Sequence, residues 1–328
     1  MRWRILLVLL ITVLSFLWVL SRIEPGRLQV SAQTYRWSWM SGVFALYLAS
    51  HAVRVVRFRW ILGRPVPFWR LMSITSIGYF AINVVPARLG ELVRPYLLAE
   101  REQVPFGEGM AAIFVERLVD MVMLLGMLFA VTWLVELPPG ALVVQGIDLI
   151  ATGQRVVGGL VVAGIVGLVL FVTAGERALV WSDKLPLGSV VRRFVVGLRG
   201  LFGRPREIGG ILLASLLIWL FTFWSVQLSL AAYPGLPATL SDSLVVWTGT
   251  LLAMALVPTA AFVGSFEAGA MGGVMALGGN EQDAVAFALI LHLGQFFFTI
   301  GWGGLFILWE GMSLREVVAR SQRAAERS

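Results

Sequence analysis

Cysteine is absent from the 328 residues. That excludes both a disulfide framework and a thiolate metal site. Histidine is nearly absent: His51 and His292 stand far apart, so no His-rich metal cluster can form, and no metal or other cofactor is expected. Lysine occurs only as Lys184, which leaves the net charge of +7 to arginine. Charge of either sign is scarce. Charged residues make up 14% of the chain, where a soluble domain carries about a quarter. Apolar residues fill the space, at 58% with a mean hydropathy of +0.84. This composition predicts an all-α polytopic membrane protein. The arginine excess then reads as cytoplasmic-loop charge that fixes orientation. A nucleic-acid role would need a basic soluble domain, and no stretch is long enough to make one.

Basic Arg2 and Arg4 precede an apolar run from Ile5 to Leu20. No small-residue cleavage pattern follows it, so an uncleaved first helix is expected, with its N-terminus in the cytoplasm. Trp37 and Trp39 suit a membrane interface, and a second helix is expected over Ser38–Val53. Arg54, Arg57, Arg59, Arg64 and Arg70 follow and read as a basic cytoplasmic loop. Leu71–Val85 is apolar but short for a span, which needs roughly 20 residues. Gly109–Val135 and Val156–Ala174 are long enough, and 175–207 forms a second basic loop. Those two helices already carry the chain out and back between two cytoplasmic loops. Residues 71–108 must therefore enter and leave on one side, as a re-entrant hairpin turning near Pro86. Irregular backbone at membrane depth survives only where protein or water covers it.

The second half repeats this logic. Ile208–Tyr233 is expected to run outward and Ala284–Trp309 to return to a basic, cytoplasmic tail. Residues 243–283 then enter and leave from the outside, broken at Pro258. The expected architecture is one integral membrane domain over 1–328, with inverted halves near 38–174 and 208–309. It holds about six full spans and two broken or re-entrant segments. Interrupted segments in corresponding halves are the sequence sign of a transport site.

Charge concentrates in the first broken segment and the helix after it. Arg88, Glu91 and Arg94 recur every third residue and share a stripe. Glu116, Arg117 and Asp120 sit inside an apolar helix, where charge is costly and needs a partner or a polar ligand. Arg88 and Arg94 could grip a phosphate two-pronged, or could snorkel to the interface. Glu91 is placed to hold them apart. Glu116 and Asp120 could bind a cationic headgroup, relay protons, or only neutralise the arginines. In the second half, Glu267 and Ser265 lie in a Gly-rich break after Pro258, and His292 and Gln295 lie one turn apart. With Pro86, these are candidates for a gate or second site.

The segments NVVPARLGELVRPYLL, VERLVD and VPTAAFVGSFEAG resemble the lysylphosphatidylglycerol synthase transmembrane family, over nearly the whole chain. In larger members this region precedes a cytosolic aminoacyltransferase domain, which this chain is not expected to carry. The resemblance implies a stand-alone, flippase-like protein that moves a lipid between leaflets, without fixing the headgroup. With Arg88 and Arg94 as phosphate ligands, the expected cargo is an amphiphilic lipid with a phosphate or charged headgroup in the plasma (inner) membrane, and without a nucleophile motif or metal ligands no enzyme activity is expected. Its partner would be the membrane lipid. Self-association, or association with a lipid-modifying transferase, stays open. Two alternatives remain: a membrane-embedded enzyme on a lipid-linked substrate, and a non-transporting accessory subunit of a lipid or glycan transferase.

Overall fold

A computed structural model of the chain describes residues 10–14, 17–18, 21–22, 24, 26, 33–84, 90–135, 143–144, 147–173, 200, 203–257, 259–312 and 316. Pro86, Arg88 and Pro258 lie outside the described residues, as do most of the second basic loop and of the C-terminal tail. The expected first span is described only in part.

The described elements are helical apart from one two-residue antiparallel pair, β1 (Val143–Val144) with β2 (Ile147–Asp148). In chain order the helices are α1 (Met40–Leu62), α2 (Phe68–Val84), α3 (Val93–Arg101), α4 (Phe106–Leu134) and α5 (Leu149–Thr173). Then come α6 (Pro205–Ala231), α7 (Leu240–Leu256), α8 (Ser265–Ala276) and α9 (Glu281–Trp309). Among the described residues, Trp37–Leu62, Arg206–Ala231 and Glu281–Trp309 are long and apolar enough to cross a membrane. Their surfaces agree: Leu308 is 75% exposed and Phe297 64%. So much bare apolar surface is stable only against lipid. The chain is an integral membrane protein.

Helix ends follow local chemistry. Pro205 sits at the first position of α6, where its missing N–H is no loss. Thr239 and Asp242 close a capping box on α7: the Asp242 N–H donates to Thr239 Oγ1 (3.2 Å) and the Thr239 N–H to Asp242 Oδ2 (2.8 Å). Hydroxyls inside the helices satisfy themselves on the preceding turn. Ser76 donates to Met72 O, Thr132 to Leu128 O and Thr250 to Val246 O.

One expectation is corrected. The second helix does not stop at Val53 but continues as α1 to Leu62, so Arg54, Arg57 and Arg59 are helical rather than part of a loop. Packing carries the helix on, because Val55, Phe58, Ile61 and Leu62 are all buried. It ends at Gly63, whose φ of 62° is the left-handed conformation that closes a helix.

The chain divides into two compact units. One comprises Met1–Ser50, Leu124–Gly158 and Trp219–Phe298; the other comprises His51–Met123, Gly159–Ile218 and Thr299–Ser328. Each has its own apolar core. Phe58, Leu71, Ile74, Ile77, Leu97 and Phe306 belong to the second unit's core. Val246, Phe266, Met271, Val274, Phe287 and Leu291 belong to the first unit's.

Each unit also contains a helical hairpin. In the second unit a Cβ on Gly78 would strike the Arg94 stem, and one on Gly90 would strike the backbone at Ala81 and Ile82. Both pairings are centred near Pro86, so α3 folds back along α2. In the first unit, Gly269 lies against Gly249 and Thr250, and Gly273 against Val246. Those pairings are centred near Thr259, and α8 folds back along α7.

The second hairpin depends on backbones in near contact. A Cβ on Gly269 would lie 2.6 Å from Gly249 O, whereas one on Gly272 would meet nothing within 4 Å. Gly269→Ala is expected to destabilise by about 1–3 kcal/mol through overpacking, and Gly272→Ala to leave thermal unfolding unchanged. Equal melting temperatures for the two variants would refute the close packing.

Candidate functional site

The second unit brings three arginines and two carboxylates together from three helices. α4 supplies Glu116 and Asp120 one turn apart on one face, with Arg117 three residues before Asp120 beside them. α1 supplies Arg57, whose position becomes internal only because that helix runs to Leu62. α3 supplies Arg94 on the returning arm of the hairpin. Glu116 is fully buried and receives one guanidinium on each oxygen: Arg57 Nη2 donates to Oε1 at 3.0 Å, and Arg94 Nη1 to Oε2 at 2.8 Å. Arg57 Nη1 also donates to Asp120 Oδ1 (2.8 Å) and to Ser215 Oγ on α6 (3.1 Å). Arg117 reaches Asp120 at 3.4 Å, with its side chain 40% exposed.

Aromatic faces complete the seat. The Arg94 guanidinium lies 4.1 Å from the Phe58 ring centroid and 5.5 Å from that of Tyr79. Such stacking favours a cation stripped of water. Gly78 is required here, because any side chain would displace the Arg94 stem.

Two features are unbalanced. The bonded cluster has Arg57, Arg94 and Arg117 against only Glu116 and Asp120. Among the described residues, Arg94 also spends just one nitrogen: its Nε and Nη2 are buried with no hydrogen-bond partner, as are the single Nε atoms of Arg57 and Arg117 and the Tyr79 hydroxyl. Nε and Nη2 form one edge of the guanidinium, with two parallel N–H donors. That edge matches a pair of carboxylate or phosphate oxygens.

The sequence-predicted residues are thus partly assembled. Arg94, Glu116, Arg117 and Asp120 meet; Arg88 and Pro86 lie outside the described residues. Glu91, expected to hold the arginines apart, is half-buried ahead of α3 and acts on Arg117 only at longer range. Sequence reasoning missed Arg57, which it assigned to a basic loop. The signal was present: three residues after Arg54, in a run where Val55, Val56 and Phe58 continue the apolar pattern.

The second candidate group lies wholly in the first unit. Glu267 on α8 and His292 on α9 are buried and joined at 2.7 Å. Ser265 Oγ lies 2.9 Å from Thr259 Oγ1. Gln295 follows His292 by one turn and is half-buried. Pro258 lies outside the described residues. Among the described residues, no group of three or more His, Cys, Asp or Glu could hold a metal ion.

Comparison with known proteins gives two matches. The family described as the lysylphosphatidylglycerol synthase TM region matches residues 5–303. The glycosyltransferase AglD of Haloferax volcanii is 27% identical over 239 residues, which is 64% of this chain and 38% of that protein. The chain therefore spans well under half the length of that relative. No solved structure matches.

Arg57 is the testable addition. Arg57→Gln leaves Asp120 without its buried partner and Glu116 with one guanidinium instead of two. Breaking a buried pair costs about 3–5 kcal/mol, so the melting temperature should fall sharply, and Asp120→Asn added to it should restore part of the loss. Arg59→Gln, on an exposed position of the same helix, should change stability by no more than about 0.5 kcal/mol. A neutral Arg57→Gln would refute the buried cluster.

Proposed function

Since the chain belongs to the lysylphosphatidylglycerol synthase TM region family, we propose that it moves an amphiphilic lipid with a phosphate-bearing headgroup between membrane leaflets. The single observation that carries this reading is the unpaired Nε/Nη2 edge of Arg94, in a cluster with one guanidinium more than carboxylates. An unsatisfied buried donor costs about 1–3 kcal/mol. A phosphate would satisfy both donors at once and neutralise the excess charge.

In this reading Arg94 grips the phosphate, Arg57 and Arg117 set the field, and Glu116 and Asp120 prevent repulsion among the three. The Tyr79 hydroxyl supplies a further hydrogen bond. The acyl chains stay in lipid, so only the headgroup needs shelter. The edge of Arg94 is sealed in this conformation, and the α2–α3 hairpin must shift to admit the headgroup. The hairpins are re-entrant, the first entered from the cytoplasm and the second from outside, in two inverted halves with about six full spans. Both termini are cytoplasmic, in the plasma membrane. No step of covalent catalysis is assigned to the chain.

A second reading has one observation in its favour, the similarity to a glycosyltransferase. The same phosphate-binding edge would then hold the phosphate of a lipid-linked glycan for a transferase elsewhere. The shared element is the phosphate.

Vesicles containing NBD-labelled phosphatidylglycerol, probed with external dithionite, test the grip. Arg94→Gln should lower the melting temperature by breaking the buried pair with Glu116. Glu116→Gln added to it should restore part of that loss, and both variants should lose at least about tenfold in lipid movement. That is the loss of roughly 1.4 kcal/mol or more of headgroup binding. Arg94→Lys keeps the charge but not the fork, so it should recover only part. Full movement by Arg94→Gln, or by Arg94→Gln with Glu116→Gln, would rule out Arg94 as a phosphate ligand.

Topology is tested separately, and cleanly, because the chain has no cysteine. Gln103 and Asn280 are exposed and follow the first and second hairpins. In intact cells, Asn280→Cys should react with an impermeant maleimide added outside, and Gln103→Cys should not. The reverse pattern would overturn the opposed hairpins.

A further inference from the structure

The first unit holds a buried pair that lipid binding does not use. His292 Nδ1 lies 2.7 Å from Glu267 Oε1, and its Nε2 lies 3.1 Å from the carbonyl oxygen of Ala261. Glu267 Oε2 accepts the Gly264 N–H at 2.7 Å. Phe266 stacks on the imidazole at 4.5 Å between centroids, covering one face.

Donor counting makes this arrangement informative. The Ala261 carbonyl can only accept, so Nε2 must carry a proton for that bond to exist. An ionised Glu267 can also only accept, so Nδ1 must carry one too. A neutral imidazole has a single proton and cannot serve both. Both contacts are made at once only if one extra proton is present, either on Nδ1 as imidazolium beside carboxylate, or on Oε1 as a carboxylic acid donating to Nδ1.

The contacts converge on an unusual turn. Between α7 and α8, Ala261 and Phe262 take φ of 51° and 61°. Side-chain-bearing residues rarely adopt that left-handed conformation. The turn is pinned at five points by side chains: Ala260 N–H to Thr12 Oγ1, Ala261 O to His292, Gly264 N–H to Glu267, Thr259 to Ser265, and Ser265 Oγ to Phe262 O. The pair supplies the second and third.

We infer that His292 and Glu267 form a binding site for a single proton, and that the bound proton latches the turn at 259–264. The proton comes from water and returns to it; only an N–H or O–H bond is made or broken. On its loss, a lone pair of His292 faces either Glu267 or the Ala261 carbonyl, that contact opens, and the left-handed residues are free to relax. Other ionisable groups on the surrounding elements have partners of their own. Asp242 on α7 closes its capping box, Glu281 on α9 pairs with Arg22, and Asp283 accepts from Tyr233. Tyr35, ahead of α1, is hydrogen-bonded to Ser229. Among the described residues, His292 is the partner within ion-pair distance of Glu267. If the chain moves lipid, this proton is its coupling ion; that extension rests on the function proposed above, and the proton site does not.

The test uses the full chain in lipid bilayers with 15N-labelled histidine. With only His51 and His292 present, the His292 signals are those lost in His292→Gln. A nitroxide on Val263→Cys reports the turn by its line shape. As pH rises between about 4 and about 10, a range that brackets free Glu and His, the shared Nδ1 proton should disappear and a mobile nitroxide component should grow with it. In Glu267→Gln the amide NH2 donates to Nδ1 while its oxygen keeps Gly264. That variant should hold one neutral Nε2–H form and an immobile turn throughout. A His292 signal that does not change with pH in the wild-type chain would overturn the proton site. A signal that changes while the nitroxide stays immobile would overturn the latch. Neither readout involves lipid movement, so failure here is separate from failure of the transport reading.

Discussion

Burying Glu116 is the constraint around which the second unit is built. A lone carboxylate in an apolar interior is not tolerated, and one counter-ion leaves half its acceptor capacity unused. The chain answers with a guanidinium on each oxygen, Arg57 from α1 and Arg94 from α3. This fixes the rotation of three helices at once, because each charge must face the same point. It also explains why α1 continues past its expected end, why Gly78 leaves room for the Arg94 stem, and why Phe58 lies flat against that guanidinium.

The solution is incomplete in a useful way. Pairing two carboxylates with three guanidiniums leaves a positive surplus, and among the described residues Arg94 has two unpaired buried nitrogens, along one edge, where Arg57 and Arg117 have one each. A protein selected only for stability would fill that edge with a carboxylate or a carbonyl. A protein that must take up and release an anion needs the edge free between turnovers. The cation–aromatic contacts with Phe58 and Tyr79 help hold Arg94 in place.

The two units share a device. Each has a helical hairpin, and in each the returning arm is tied by a buried polar or charged group to the long helix that follows. Arg94 on α3 reaches Glu116 on α4, and Glu267 on α8 reaches His292 on α9. The chemistry differs where function would require it. The guanidinium pair holds its charge over the whole biological pH range, whereas the imidazole pair depends on one proton. In the two proposals made above, an anion site of fixed charge and a site responsive to pH are different tasks, set on similar scaffolds.

Composition alone settled the class of this protein: with 14% charge and 58% apolar residues, a soluble fold could not be built. Helical spacing was enough to put Glu116 and Asp120 on one face, because i and i+4 neighbours are fixed by the helix itself. Pro86 and Pro258 predicted a break in each half from sequence alone, since proline disrupts a helix interior. Arg57 was hidden because an arginine three residues after another reads as loop charge unless a partner is known, and its partners are 59 and 63 residues away. The same holds for Glu267 and His292, each visible as an unusual polar residue but not as a pair, 25 positions apart in the chain. Local periodicity is written in the sequence; which buried charges meet is decided only when helices pack, because that choice minimises unpaired charge over the whole unit.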